Sequence, residues 1–387
     1  MNFLAQGIKK HYGLENRSIL LFFLASFLVQ AAMGSIGVLL NLYILELGFS
    51  EDFAGTVMSA KLFTTGLVCI PAGLICSRWG VGRVLAAGSA ALGLGILTVS
   101  LTASPGLLLA GAVLIGSAMA IKAVSVPLFL VENSSPRTRQ NLFSLNFALM
   151  MFANMAGTAL SGYLPVFWEN ARAGLAGTLG LYGILALISI LPLAFIAPQR
   201  GSTSNPGGQG LLDLKIILKD KNLRRLLVSH SLIGFGAGLI VPLFNIFMSN
   251  KLGASSAQIG VIMSVAQIAT ALGGLLVPLV VGRLGQVATV VVLRLASIPF
   301  LIMIANLTDI YGVGAAYFLR TTLGMSSLLS SMNTITRAIS VLAGGWIMVK
   351  YSYGVPYYFT CALYGITTLL FWAWFRPERQ RENQPSE

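Results

Sequence analysis

Charge is what this sequence has least of. Only 10% of its 387 residues are Asp, Glu, Lys or Arg, where an ordinary soluble protein carries about 25%. A water-exposed surface cannot be solvated with so few. Histidine occurs twice, as His11 and His230, so a metal-spaced histidine cluster and most histidine-based catalysis are excluded. The three cysteines, Cys69, Cys76 and Cys361, all lie inside apolar stretches, which argues against a disulfide framework and a metal site. No acidic pair and no phosphate-cradling glycine loop appear; the fragment GLG at Gly93–Gly95 lies within an apolar block, where packing explains it. The chain is therefore not expected to be an enzyme, and no cofactor or metal is expected.

What the sequence has instead is long apolar blocks. Hydrophobic residues make up 56% of the chain, in runs such as Ile19–Leu45 and Leu107–Val131. Each exceeds the roughly 20 residues that cross a hydrocarbon core as a helix, and none shows the polar stripe of a water-soluble helix. The expected fold class is an all-α integral membrane protein whose main partner is the lipid bilayer. A net charge of +13 raises the question of nucleic acid, but that needs a basic face interleaved with aromatics. Here the basic residues stand in short clusters between apolar blocks, as cytoplasmic loops do under the positive-inside rule.

Hydropathy places spans near 19–45, 53–77, 84–103, 107–131, 142–165, 173–197, 226–249, 256–281, 287–306, 310–328, 335–349 and 355–375. That divides the chain into an N-terminal six-helix bundle (1–197), a polar linker (198–225), and a C-terminal bundle with its tail (226–387). The linker opens PQRGSTSNPGGQG, a flexible composition, and ends KIILKDKNLRR, which reads as a basic amphipathic helix on the membrane surface. With both termini cytoplasmic, 19 of the 25 basic residues, Arg294 and Arg337 among them, fall on the inner side, three outside and three within spans. The opening apolar run is too long for a signal peptide and reads as a retained first span.

The two halves repeat each other. Gly48, Ser50, Gly55, Met58, Ser59, Arg78 and Gly80 recur 205 residues later as Gly253, Ser255, Gly260, Met263, Ser264, Arg283 and Gly285. A duplicated helical unit accounts for one shared offset. The second copy is incomplete: aligning SGYL at Ser161–Leu164 with GGWI at Gly344–Ile347 shortens the offset to 183. About 22 residues are thus missing between spans 9 and 11. A stunted hairpin turning near Ser330–Ile335 is expected, with loss of one span as the alternative.

Between spans 2 and 3 stands GLICSRWGVGR, Gly73 to Arg83, which resembles the signature loop of the major facilitator superfamily. Gly73, Arg78, Gly80 and Arg83 match that pattern, and Ser77 stands where the acid is usual. The second half offers PLVVGRLGQ, where Arg283 and Gly285 match and Gly282 replaces the acid. After span 4, VPLFLVENSSPRTRQ places Glu132 at a helix end with Arg137 and Arg139 in the loop. The resemblance implies a fold of two pseudo-symmetric six-helix bundles working by alternating access. It further implies a cytoplasmic latch of Gly73, Arg78, Gly80, Arg83, Glu132, Arg137, Arg139, Arg283 and Gly285. Loop charge alone is the other reading of Arg83, Glu132, Arg137 and Arg139. Span 5 carries AGTALSG, Ala156–Gly162, small residues suited to close packing, and lacks the glycine-proline pair of the drug antiporters in that superfamily.

A charge in mid-helix costs about 2.5–3.5 kcal/mol on insertion scales, so one that is kept faces a cavity or a partner. Lys122 lies inside span 4 and Arg320 midway along span 10; the resemblance puts spans 4 and 10 on opposite walls of one central cavity. The pair suits an anionic solute, while snorkelling or bonding to backbone carbonyls is the plainer role. Asn41, Tyr43 and Asn245 are polar groups on the cavity helices, fit for substrate contact or for helix packing. No acid lies deep in any span, so a coupling ion, proton or counter-anion, would have to use Glu46, Glu132 or His230. The expected function is secondary active or facilitative transport of a small-molecule substrate across the cytoplasmic membrane, by a monomer. Drug or metabolite efflux and a non-transporting scaffold are the alternatives. Cysteine labelling in intact cells checks the topology: a probe at Ser202 and one in the first ten residues are expected to be shielded from impermeant reagent together, and opposite accessibility would break it.

Overall fold

Each polar break in the sequence opens a helix, and the residue that opens it has a physical reason to be there. The Asn16 side chain accepts from the Ser18 amide at 2.9 Å, capping the first helix. Pro105 stands in the first turn of the fourth helix, where its missing N–H costs nothing. Asn170 accepts from Ala173 N at 2.7 Å, and Ser255 with Gln258 forms a reciprocal capping box. These side chains satisfy amide groups that a helix start leaves bare.

The structure, a computed structural model, describes residues 16–196, 220–324 and 331–382. Among them the regular structure is helical throughout. In chain order the elements are α1 (Arg17–Glu46), α2 (Glu51–Trp79), α3 (Val81–Ser100), α4 (Pro105–Glu132) and α5 (Arg139–Tyr163). Next come α6 (Ala171–Ala194) and α7 (Lys221–Lys251), then α8 (Ser256–Leu284), α9 (Gln286–Asn306), α10 (Ile310–Leu323), α11 (Ser331–Lys350) and α12 (Val355–Glu382). Every expected span is present as a helix, and ten are long and apolar enough to cross a membrane.

Three boundaries differ from expectation. α10 stops at Leu323 instead of near residue 328, and its 14 residues reach only about 21 Å. α11 starts at Ser331, so the stretch expected to turn, Ser330–Ile335, is mostly the start of that helix. Residues 220–225, read as part of a surface helix, are instead the cap and first turns of α7: the Asp220 carboxylate accepts from Asn222 N at 2.8 Å and Leu223 N at 3.2 Å. The flexible part of the linker lies outside the described residues.

Contacts divide the chain into two units, Met1–Leu47 with Ala60–Leu211, and Gly48–Ser59 with Leu212–Glu387. The start of α2 thus groups with the second unit. There the Glu51 carboxylate accepts from Asn250 Nδ2 at 2.8 Å and from the Tyr353 hydroxyl.

In the first unit α1 lies along α5 and α3 along α4. The contact with α5 is close because of Gly157, where an added Cβ would come 2.2 Å from the Ala31 carbonyl oxygen. Phe22 stacks on Phe129 at 4.4 Å in a core with Cys76, Val84, Leu130 and Leu142. In the second unit α7 lies along α11, and a Cβ on Gly344 would meet the Leu239 carbonyl at 2.4 Å. Both helix pairs use small residues for close backbone approach, the way helices gain packing in lipid. Outside, α8 exposes Leu272, Leu275, Leu276 and Leu279, a face that water would reject and acyl chains solvate.

The repeat seen in the sequence is also a repeat of backbone conformation. The positive-φ glycines among the described residues are Gly48 and Gly253, at 88° and 65°, and Gly80 and Gly285, at 84° and 78°. These are two of the pairs at the 205-residue offset. Gly80 and Gly285 have ψ of 145° and 165°, close to a region essentially closed to other residues. Gly285→Ala is expected to cost about 1–3 kcal/mol, seen as a lower melting temperature in detergent. Gly282→Ala, at a position with open space around it, should leave melting unchanged. Equal melting of the two variants would refute the strain argument.

Candidate functional site

Lys122 sits in the fifth turn of α4, where a lysine needs a partner. It finds one across the first unit: the ammonium donates to the Gln30 carbonyl oxygen on α1, with the Met33 sulfur 3.8 Å away. Lys122 and Met33 line a pocket of about 420 Å³, walled also by Phe22, Ser26, Gly88 and Ser89. The pocket is apolar apart from a serine pair and one cation, the mix of apolar wall and few polar groups that small-molecule sites have. Neither Asn41 nor Tyr43 joins it. Asn41 is fully buried in α1. The Tyr43 hydroxyl sits 3.2 Å from both the Ser100 and Thr102 carbonyls, tying α1 to the end of α3.

In the second unit α7 loses its α-helical register where the sequence places Pro242. Val241–Leu243 tightens to a 3-10 turn and Phe247–Lys251 widens to a π turn, the local adjustment a proline forces by removing an amide donor. Asn245 lies in this irregular stretch, 1% exposed, its side-chain oxygen accepting from Ile246 N at 3.0 Å. It does not line the pocket nearby. That pocket, about 170 Å³, is formed by Ile240, Phe244, Ile304, Tyr317, Arg320 and Tyr357, with Val241 and Leu301. Tyr317 stacks on Phe244 at 3.9 Å and Tyr357 packs on Phe247 at 4.9 Å, so both phenols are held by rings.

Arg320 was expected midway along its span, and it lies in the last turn of α10. Because α10 is short, the two statements agree on depth: ten residues from Ile310 is about 15 Å, half of a roughly 30 Å hydrocarbon core. The structure thus gives Lys122 and Arg320 a pocket each, in different units.

Of the residues expected to form a latch, all but Gly73 stand at or near helix ends. Gly80 and Gly285 make the tight links from α2 to α3 and from α8 to α9. Arg78, Arg83, Glu132, Arg137 and Arg283 are exposed, and Arg139 Nε donates to Ser134 Oγ at 3.3 Å. Gly73 is an ordinary helix position, where a Cβ would meet only the Val124 side chain at 3.9 Å.

Two cations were placed wrongly by the count of loop charges. Arg294, taken as reaching the membrane interface, is 4% exposed; it donates to Ser229 Oγ at 3.3 Å and lies over the Phe371 ring at 5.2 Å. Arg337, taken as a loop charge, is the seventh residue of α11 and partly buried, with its Nε enclosed and lacking a hydrogen-bond partner. The side chains of the candidate sites that the sequence reading did not single out are Gln30, Tyr317 and Tyr357. Gln30 had a signal, a lone amide inside the α1 apolar run.

The comparisons with known proteins fit this geometry. The Major Facilitator Superfamily model matches residues 22–337. No curated protein matches by sequence. Among solved structures, the nucleoside transporter NupG superposes with a TM-score of 0.74 at 14% identity, covering 93% of this chain and 98% of its own. A D-xylose-proton symporter gives 0.67 at 13%, covering 92% and 97%. A bacterial homolog of the human lysosomal transporter Spinster, inward-facing and occupied, gives 0.71 at 13%, covering 95% and 98%. At such identities the likeness establishes the fold, and the family model establishes kinship over most of the length. With its membrane-spanning helices, repeated half and glycine-arginine links, the chain belongs to the Major Facilitator Superfamily as a multi-pass membrane transporter.

Proposed function

We propose that this protein carries a small anionic organic solute across the cytoplasmic membrane by alternating access, as a monomer with both termini cytoplasmic. The observation that carries the reading is a charge imbalance at membrane depth. Each unit has a pocket with a cation in its wall, Lys122 in one and Arg320 in the other, and among the described residues no Asp or Glu is buried. A cation kept in hydrocarbon without a carboxylate costs about 2.5–3.5 kcal/mol on insertion scales. A visiting anion offsets that cost, and the charge-assisted hydrogen bonds it makes supply its affinity.

The scarcity of acids bears on energetics as well. A proton-coupled carrier needs a group that loads and releases a proton in the membrane, and a raised-pKa carboxylate is the usual one. Without a buried acid, facilitated diffusion or exchange against a counter-anion is the coupling that fits. The D-xylose-proton symporter shares the fold at 13% identity; its coupling is its own property.

The test is transport into proteoliposomes. Wild type is expected to take up labelled anionic solutes from a mixed panel and to show saturable counterflow, with neutral analogues excluded. Lys122→Gln and Arg320→Gln should each lower anion uptake at least about ten-fold, the loss of one charge-assisted contact. Undiminished uptake by the double variant, eluting as a single species in detergent, would reject the reading.

A further inference from the structure

The second unit holds more positive charge at one depth than a single-charge solute can balance. Between Asp220 and Glu378 the sequence contains one acid, Asp309, and its carboxylate is engaged as the cap of α10, accepting from Gly312 N at 2.6 Å. Of the seven arginines in the same stretch, three lie well inside helices. Measured from the helix ends at Asn306, Ile310 and Lys350, which face the same side, Arg294, Arg320 and Arg337 lie about 18, 15 and 20 Å deep. They form one layer near mid-membrane.

Arg294 has Ser229 and the Phe371 ring as partners, although its Nε is enclosed without a hydrogen-bond partner. Arg320 and Arg337 are not provided for in that way. They lie within electrostatic reach of each other, and Arg337 is also close to Tyr317 and Tyr364. Arg320 lines a tightly closed pocket together with Tyr317 and Tyr357, and Arg337 lies outside its lining. Tyr357 is 1% exposed, and its hydroxyl has no hydrogen-bond partner; nor has the enclosed Nε of Arg337. Two like charges within electrostatic reach repel, and an enclosed hydroxyl without a partner costs further. A group with several acceptor oxygens and two negative charges would answer both.

Building on the reading of the protein as an anion carrier, we propose that Arg320 and Arg337 form a seat for a dianionic head group, with the Tyr357 hydroxyl as its neutral donor. The solute then carries two negative charges on one end, as a phosphate monoester or a short dicarboxylate does. Guanidinium forks suit both groups, and the ring-packed phenols give the seat a fixed shape. Arg320 touches the head group; Arg337 is a specificity residue that sets how many charges the seat prefers.

The experiment titrates the purified full chain in detergent, following tryptophan fluorescence, with inorganic phosphate, succinate and lactate as probes. Wild type should bind phosphate or succinate at least about ten-fold tighter than lactate, the margin of one charge-assisted contact. Arg337→Gln should bring the dianion down to the lactate level while leaving lactate unchanged, and Arg337→Lys should keep the preference. Tyr357→Phe, which removes one oxygen, should weaken the dianion by a smaller factor. Retained lactate binding shows that a variant is folded, and the wild-type preference stands as a test even if Arg337→Gln does not fold. Lactate binding as tightly as the dianions, or a preference that survives Arg337→Gln, overturns the dianion seat and leaves the anion carrier intact. Binding of no anion by wild type overturns both.

Discussion

Hydrocarbon offers a peptide group nothing to bond to, and that constraint governs this chain from end to end. Backbone amides and carbonyls must be satisfied within each segment, so helices are the structure available to an apolar run. Lipid is as apolar as leucine, so burying leucine between helices gains little. What holds helix to helix is close backbone approach and scattered polar contact. Gly157 against Ala31 and Gly344 against Leu239 are the points of closest approach on which α1–α5 and α7–α11 packing turns.

The same solvent makes each buried charge a decision. In the first unit Lys122 is answered by the Gln30 amide and opens on a pocket. In the second, Arg294 is answered by a serine and an aromatic face, a structural solution in which ring quadrupole and hydroxyl stand in for an anion. Arg320 and Arg337 have phenols and each other for company. An acid on a neighbouring helix would have neutralised either one, and the stretch from Asp220 to Glu378 offers only Asp309, which caps a helix.

Much of the fold was legible because the membrane reads the sequence with the same crude measure that hydropathy does. The expected spans appear as helices, and repeated residues at one offset became repeated conformation at Gly48, Gly80, Gly253 and Gly285. The site was legible as single residues but not as partners. Gln30 and Lys122 are 92 positions apart, and no local pattern joins them. Arg337 was misplaced because counting loop charges treats any arginine near a span end as cytoplasmic. The helix that holds it, α11, starts at Ser331, and Arg337 is its seventh residue. Tyr317 and Tyr357 carry no motif; only the ring contacts of α7 show what they face.

The shortness of α10 reaches beyond the protein. Its 14 residues rise about 21 Å through a hydrocarbon layer of roughly 30 Å, whereas α4, with 28 residues, has length to spare. Beside a helix shorter than the layer, acyl chains thin to meet it. A short helix in the second unit is thereby sensitive to the thickness of the layer around it. The bilayer itself becomes a party to how firmly the shorter half is held.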